Sequence, residues 1–156
     1  MNRKLNGAIL PRSEATEYQK NALFDLWESY YQNVDRAMFE TDLAEKDWIL
    51  TLSDESGIIR GFTTMKFYEL EIRGKPIRAI FNGSTIIDRD YWGEQELVHT
   101  WCRFMAELKR DEPEIALYWY LIVSGFRTYM FLPLFFREFY PNHATATPAF
   151  EQEIMD

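Results

Sequence analysis

Cysteine is almost absent from this chain. Its 156 residues hold one, Cys102, so no internal disulfide can form. Histidine is as scarce, with only His99 and His143, and one thiol with two imidazoles falls short of any metal-site spacing. No metal is expected. His99 does stand three positions before Cys102 in a helical pattern, the spacing of a thiol–imidazole pair, although a buried or half-buried inert thiol is the ordinary occupant of such a position. Basic residues are outnumbered, 17 Lys and Arg against 25 Asp and Glu, which sets the formal charge at −8. A chain this acidic repels phosphate backbones and anionic membrane surfaces, because counterion release needs clustered Lys and Arg. Nucleic acid is therefore not an expected partner. An anionic ligand would need a local exception, such as a helix N-terminus or a well-placed Arg. The opening MNRKLNG lacks an apolar stretch of signal-peptide length. With no disulfide to form, that points to the cytoplasm.

Long uncharged runs are rare too, with one exception. Between residues 115 and 136 the only formal charge is Arg127, close to the length a bilayer needs. Ser124-Gly125 breaks the run, Arg127 would fall near the bilayer centre, and Pro133 interrupts the second half. A buried strand followed by an apolar helix accounts for the same letters, and no membrane span is expected.

Aromatics are abundant. They make up 17% of the chain, against 47% for all apolar residues, enough for one sizeable core at this length. Either the core is aromatic-rich, or some rings line a pocket or an interface.

The pattern along the chain gives an order of elements. Residues 1–12 read as an irregular leader closed by Pro11. Ser13, Thr16 and Glu17 offer helix caps, and Leu23, Leu26, Trp27, Tyr30 and Tyr31 recur on one helical face. Residues 35–46 read as a second short helix and 48–52 as a strand ended by the turn Ser53-Asp54-Glu55-Ser56-Gly57. Residues 58–72 alternate, the turn Arg73-Gly74-Lys75-Pro76 follows, and 77–87 form a further strand. Those are three consecutive antiparallel strands. Leu97, Trp101, Phe104, Met105 and Leu108 mark a helix stopped by Asp111-Glu112-Pro113. Residues 115–123 read as a central strand buried on both faces, and 126–140 as a helix kinked at Pro133. A short helix is expected from Pro148. The class is α/β (or α+β), with a mixed, mainly antiparallel sheet and helices on both faces.

This order, and the residues at its junctions, resembles the GCN5-related N-acetyltransferase superfamily, and more narrowly a bacterial group of largely uncharacterised acyltransferase-like proteins. The carrying segments are Ile86-Ile87-Asp88-Arg89-Asp90-Tyr91-Trp92-Gly93 and Leu117-Tyr118-Trp119-Tyr120-Leu121-Ile122-Val123-Ser124-Gly125-Phe126. The resemblance makes residues 13–141 one such domain, with 142–156 as a tail. It implies acetyl- or acyl-coenzyme A as co-substrate and a small amine or amino acid as acceptor. In that superfamily the loop and helix after the fourth strand hold the pyrophosphate through backbone N–H groups, which implies a cofactor-binding role for Ile86, Ile87, Arg89, Tyr91, Trp92 and Gly93. The family loop carries Arg or Gln, then Gly three residues on and Gly or Ala two further. Counted from Arg89, those positions hold Trp92 and Glu94, with the glycine displaced to Gly93. Helix capping and pyrophosphate binding both fit this stretch. The fourth strand of the family bulges to free an N–H for the thioester carbonyl, and Gly83-Ser84 stand where that bulge would fall, although a glycine merely tolerated within a strand fits as well.

Further roles come from the same source. Tyr129 stands about where the family places the acid for the leaving thiolate. Glu69, Glu71 and Asp88 are the candidates for the base, by position near strand ends. The apolar stretch 129–136 would suit either core packing or a tunnel for a longer acyl chain. Related folds end in two more strands that residues 142–156 cannot supply, so the sheet would carry an open edge. Three functions follow: acyl-coenzyme A-dependent N-acyltransferase; a non-catalytic relative or fragment that self-associates or binds a protein partner through the incomplete sheet; or a module binding an acyl chain.

Overall fold

A computed structural model of the chain describes residues 4–123 and 125–156. Ser124, read above as part of the break in the apolar run, lies outside the described residues. One sheet organises the rest. Its strands are β1 (Asn6–Pro11), β2 (Trp48–Ser53), β3 (Ile59–Ile72), β4 (Lys75–Ile87) and β5 (Ala116–Tyr120), in that spatial order. The first three pairings are antiparallel and β4–β5 is parallel. No strand follows β5 among the described residues.

Helices cover both faces. On one side α1 (Glu17–Tyr30) and α2 (Arg36–Ala44) bury Leu23, Trp27, Phe39 and Leu43 against Ile49, Phe62 and Ile86. The capping box of α1 is Thr16 with Gln19: each accepts the other's backbone N–H, at 3.2 and 2.9 Å. Asp35 caps α2 by accepting Met38 N–H at 2.8 Å. On the other side α3 (Glu96–Asp111) lays Leu97, Trp101, Phe104 and Met105 over Leu50, Leu52 and Met65. The β3–β4 hairpin closes through Arg73 and Gly74, at φ +52° and +74°. That two-residue turn matches the twist of the strands it joins.

Three expectations need correction. Residues 6–11 are not part of an irregular leader; they form an edge strand in register with β2, from Asn6 opposite Ser53 to Pro11 opposite Trp48. Asn, Gly and Pro weaken the local strand signal, and the pairing partner lies some forty residues away in sequence, so only the closed sheet reveals it. Residues 115–123 do not form a strand buried on both faces. The strand spans Ala116–Tyr120, is half-buried, and pairs with β4 alone. An apolar run cannot by itself distinguish a central strand from an edge. The single helix expected over 126–140 is instead two short ones, α4 (Phe126–Tyr129) and α5 (Phe131–Phe135). The break follows from Pro133, whose ring conflicts with the carbonyl four residues earlier, at Tyr129, where α4 ends. The last helix, α6 (Ala149–Met155), begins after Pro148 and docks on the hairpin through an ion pair between Glu153 and Arg73. No helix among the described residues is long and apolar enough to cross a membrane.

Candidate functional site

The candidate site grows from two irregularities in β4. The first is a bulge. Phe62 of β3 faces Ile86, but Thr64 faces Gly83, so Thr63 alone stands opposite both Ser84 and Thr85. Ser84 takes up the extra residue at φ +36°, in the sparsely populated left-handed region. Gly83 beside it has no room to spare, since a Cβ there would sit 3.1 Å from both Lys46 Cε and Thr64 Oγ1. The second irregularity is a parting of strands. Parallel pairing of β4 with β5 runs from Ile77–Ala116 to Phe81–Tyr120 and stops there, while β4 continues to Ile87. Beyond that point β4 is bulged and, among the described residues, has no partner on its β5 side.

The loop from β4 to α3 is tightly self-bonded. Asp88 accepts Asp90 N–H at 3.1 Å and lies 3.6 Å from Arg60. Arg89 N–H donates to Tyr30 Oη at 2.8 Å, and the Arg89 guanidinium lies over the same ring. The N–H groups of Tyr91, Trp92 and Glu94 donate to the carbonyls of Asp88, Arg89 and Tyr91. Trp92 is exposed, and its indole donates back to Ile87 O at 2.9 Å. Gly93 follows at φ +102°, a conformation that suits glycine and few other residues. The α3 ladder opens with His99 N–H to Gln95 O, so Glu96, Leu97 and Val98 at the helix start have no intrahelical acceptor. Burial works to raise the Glu96 pKa, but hydrogen bonds from Thr100 and Arg103 outweigh it and leave the carboxyl below its ordinary value. The first turn of α3 thus pairs backbone N–H groups without intrahelical acceptors with the carboxylate of Glu96.

The sequence candidates divide accordingly. Gly83, Ser84, Ile86, Ile87, Asp88, Arg89, Tyr91, Trp92 and Gly93 lie along one continuous stretch of bulge, strand end and loop. The Ile86 side chain belongs to the core under α1 and α2, which leaves its main chain for any contact with a ligand. Glu69 is not brought to the bulge. It stands five positions along β3 from Thr64, about 17 Å away at about 3.4 Å per residue, and its carboxylate accepts from Arg78. Glu71 lies further out on the same strand. Tyr129 ends α4, with its ring edge-on to Phe139 at 6.4 Å. Phe131, Leu134 and Phe135 of the apolar stretch are exposed. Cys102 is exposed, and His99 lies 3.9 Å from Glu96.

The polar backing of the bulge was not foreseen. Thr63, only 2% exposed, sets its hydroxyl 2.8 Å from Thr85 Oγ1 and 3.2 Å from Gly83 O. The adjacent Thr63 and Thr64 of β3 are β-branched and signal a strand, nothing more.

This sheet, with helices on both faces, is a fold the chain shares with solved N-acetyltransferases. Among solved structures the chain is similar to a ribosomal-protein-alanine N-acetyltransferase from Brucella melitensis biovar Abortus 2308, with 13% identity, 93% of this chain and 99% of that one covered, and a TM-score of 0.59. It is equally similar to an aminoglycoside N-acetyltransferase in complex with CoA, at 8% identity, 92% and 97% coverage and a TM-score of 0.59. A third, an aminoglycoside acetyltransferase from an uncultured soil metagenomic sample in complex with sisomicin, shares 14% identity over 83% of this chain and 86% of that one, with a TM-score of 0.56. No family model matches the sequence, and no curated protein matches it.

Proposed function

We propose that this protein is an acyl-coenzyme A-dependent N-acyltransferase acting on a small amine or amino acid. The observation that carries the reading is the β4 bulge at Ser84 standing beside the parting of β4 and β5. Acyl transfer needs a donor for the carbonyl oxygen as it gains charge, a proton acceptor for the amine, and a proton for the departing thiolate. The extra residue of a bulge leaves ladder groups unpaired, which suits a backbone N–H at Ser84 to the first task. Gly93 and the start of α3 suit the pyrophosphate. Tyr129 is our candidate acid. Asp88, closer to the bulge than Glu69, is the better candidate base. In the reaction the amine nitrogen bonds the acyl carbon, the carbon–sulfur bond breaks, and the thiolate takes up a proton.

Thermal unfolding with CoA, acetyl-CoA and a long-chain acyl-CoA tests this. A ligand at 100 times its Kd stabilises by about 2.7 kcal/mol, near 5–10 °C for a chain of this size at about 2–4 °C per kcal/mol. No shift with any of the three would refute the reading. A shift with the long-chain compound alone would favour an acyl-chain binding module or a long-chain transferase.

One observation favours a second reading, self-association. Tyr120 at the end of β5, Ile122 just past it, and Phe126, Leu134 and Phe135 are exposed, and β5 pairs on one side only among the described residues. The occupant we propose is a second copy of this chain. Light scattering across a concentration series tests it, and a monomer throughout would refute it.

A further inference from the structure

The side chain of Asn82 ties together three elements that border the proposed cleft. Asn82 is the first residue of β4 past its last pair with β5, Phe81 opposite Tyr120. Its Oδ1 accepts the indole N–H of Trp101 from α3 at 3.1 Å and that of Trp119 from β5 at 3.0 Å. An indole nitrogen only donates, so two of them on one end of an amide identify that end as the oxygen. The amide nitrogen donates to Thr63 Oγ1 at 3.2 Å, and Thr63 touches both flanks of the bulge through Gly83 O and Thr85 Oγ1. The two indoles pack on each other with centroids 5.5 Å apart, and Trp119 packs on Phe136 at 5.4 Å.

The bulge at Ser84 bends β4 two residues further on but does not by itself fix which residue is the last to pair with β5. Both chains continue, and a further ladder bond would be favourable. What differs at position 82 is a polar side chain with three partners in a part-buried setting. Shifting either strand would strand an indole N–H or the amide oxygen without a partner, which costs more than the bond itself contributes when made. The bulge, the end of β5 and α3 are therefore held in a single mutual arrangement by one amide.

We infer that Asn82 is the positioning residue of the acyl-coenzyme A cleft: it fixes the separation of β4 and β5 where they part and braces the bulge beside them. The inference rests on the acyltransferase reading. Asn82 acts through Trp101, Trp119 and Thr63, and a cleft held open in advance needs no ordering when the ligand enters.

The test is calorimetric titration of CoA and acetyl-CoA into the wild type, Asn82→Leu and Asn82→Asp. Leucine is close in volume and accepts nothing. Aspartate keeps an acceptor for both indoles. Asn82→Leu should weaken both ligands at least tenfold, and Asn82→Asp should recover most of that loss. Leu23→Val, a core truncation under α1, controls for stability and should leave both affinities within twofold of the wild type. Should Asn82→Leu fail to fold, Trp119→Phe deletes one donor, keeps a ring, and should weaken CoA by about threefold. Wild-type affinity in Asn82→Leu or Trp119→Phe, no recovery in Asn82→Asp, or equal weakening in Leu23→Val would each overturn the inference and leave the acyltransferase reading standing. A wild type that binds neither ligand would remove that reading and the inference with it.

Discussion

Gly7 is where β1 packs against Thr100 of α3, and replacing it with alanine should invert the usual effect of that substitution. Gly→Ala at an unstrained position stabilises by about 0.4–1 kcal/mol, because alanine has less freedom to lose on folding. Here the new Cβ would stand 2.0 Å from Thr100 Oγ1, 2.8 Å from Thr100 Cβ and 3.0 Å from Thr100 Cγ2. Rotating Thr100 cannot relieve this, since its Cβ is itself too near. The hydroxyl is also engaged with Glu96 at 2.9 Å and Arg103 at 2.9 Å. Either β1 must leave its register with β2, or α3 must lift Leu97, Trp101, Phe104 and Met105 from the sheet. Overpacking of this kind costs about 1–3 kcal/mol. Taking about 2 kcal/mol, Gly7→Ala should lower Tm by about 4–8 °C. Differential scanning calorimetry on Gly7→Ala, Thr100→Ala and the double variant gives the coupling directly. Thr100→Ala removes Oγ1 and Cγ2 but not Cβ, so the double variant should recover part of the loss. A Gly7→Ala protein at least as stable as the wild type would refute the packing of β1 against α3.

Two further outcomes follow from side chains outside the cleft. Asp54 closes the β2–β3 turn by accepting Ser56 N–H, Ile58 N–H and Arg60 Nε–H. The Arg60 hydrogen bond chiefly holds its pKa below the ordinary value. A depressed folded-state pKa means the unfolded chain binds the proton more readily, so the stabilisation is present above pH about 4 and lost as pH falls through the folded value. The Tm gap between wild type and Asp54→Asn should therefore be wide at pH 7 and narrow toward pH 2.5; an equal gap at both would contradict the assignment. Arg78, 9% exposed, donates to Glu69 and to Glu112 and lies over Phe67. Arg78→Leu should cost about 2 kcal/mol, because two charge-assisted bonds are lost while the freed carboxylates regain water. Urea unfolding measures this, and a loss below about 0.5 kcal/mol would show the ion pairs to be unimportant.

Much of the scaffold was legible from local pattern. The alternation of β3 and the Arg73-Gly74 turn specify a hairpin, because side-chain period and turn twist are properties of a few neighbouring residues. The face of α3 follows from Leu97, Trp101, Phe104 and Met105 in the same way. Even the bulge had a local mark in Gly83, although Ser84 rather than the glycine carries the positive φ. The strand at residues 6–11 had no such mark. Its existence depends on β2, and its Asn, Gly and Pro speak against it until the partner is in place.

The site divides along the same line. Sequence by itself determined that a strand end, a loop and a helix start would meet between Gly83 and Glu96, since each of those signals is local. Tertiary structure decided the rest. It set Glu69 against Arg78 and away from the bulge, and it committed the Arg89 N–H to Tyr30. It also drew Trp101 and Trp119 onto Asn82. Hydrogen bonds and packing between residues far apart in the chain leave no periodicity to read, so where β4 and β5 part is decided only when the sheet closes.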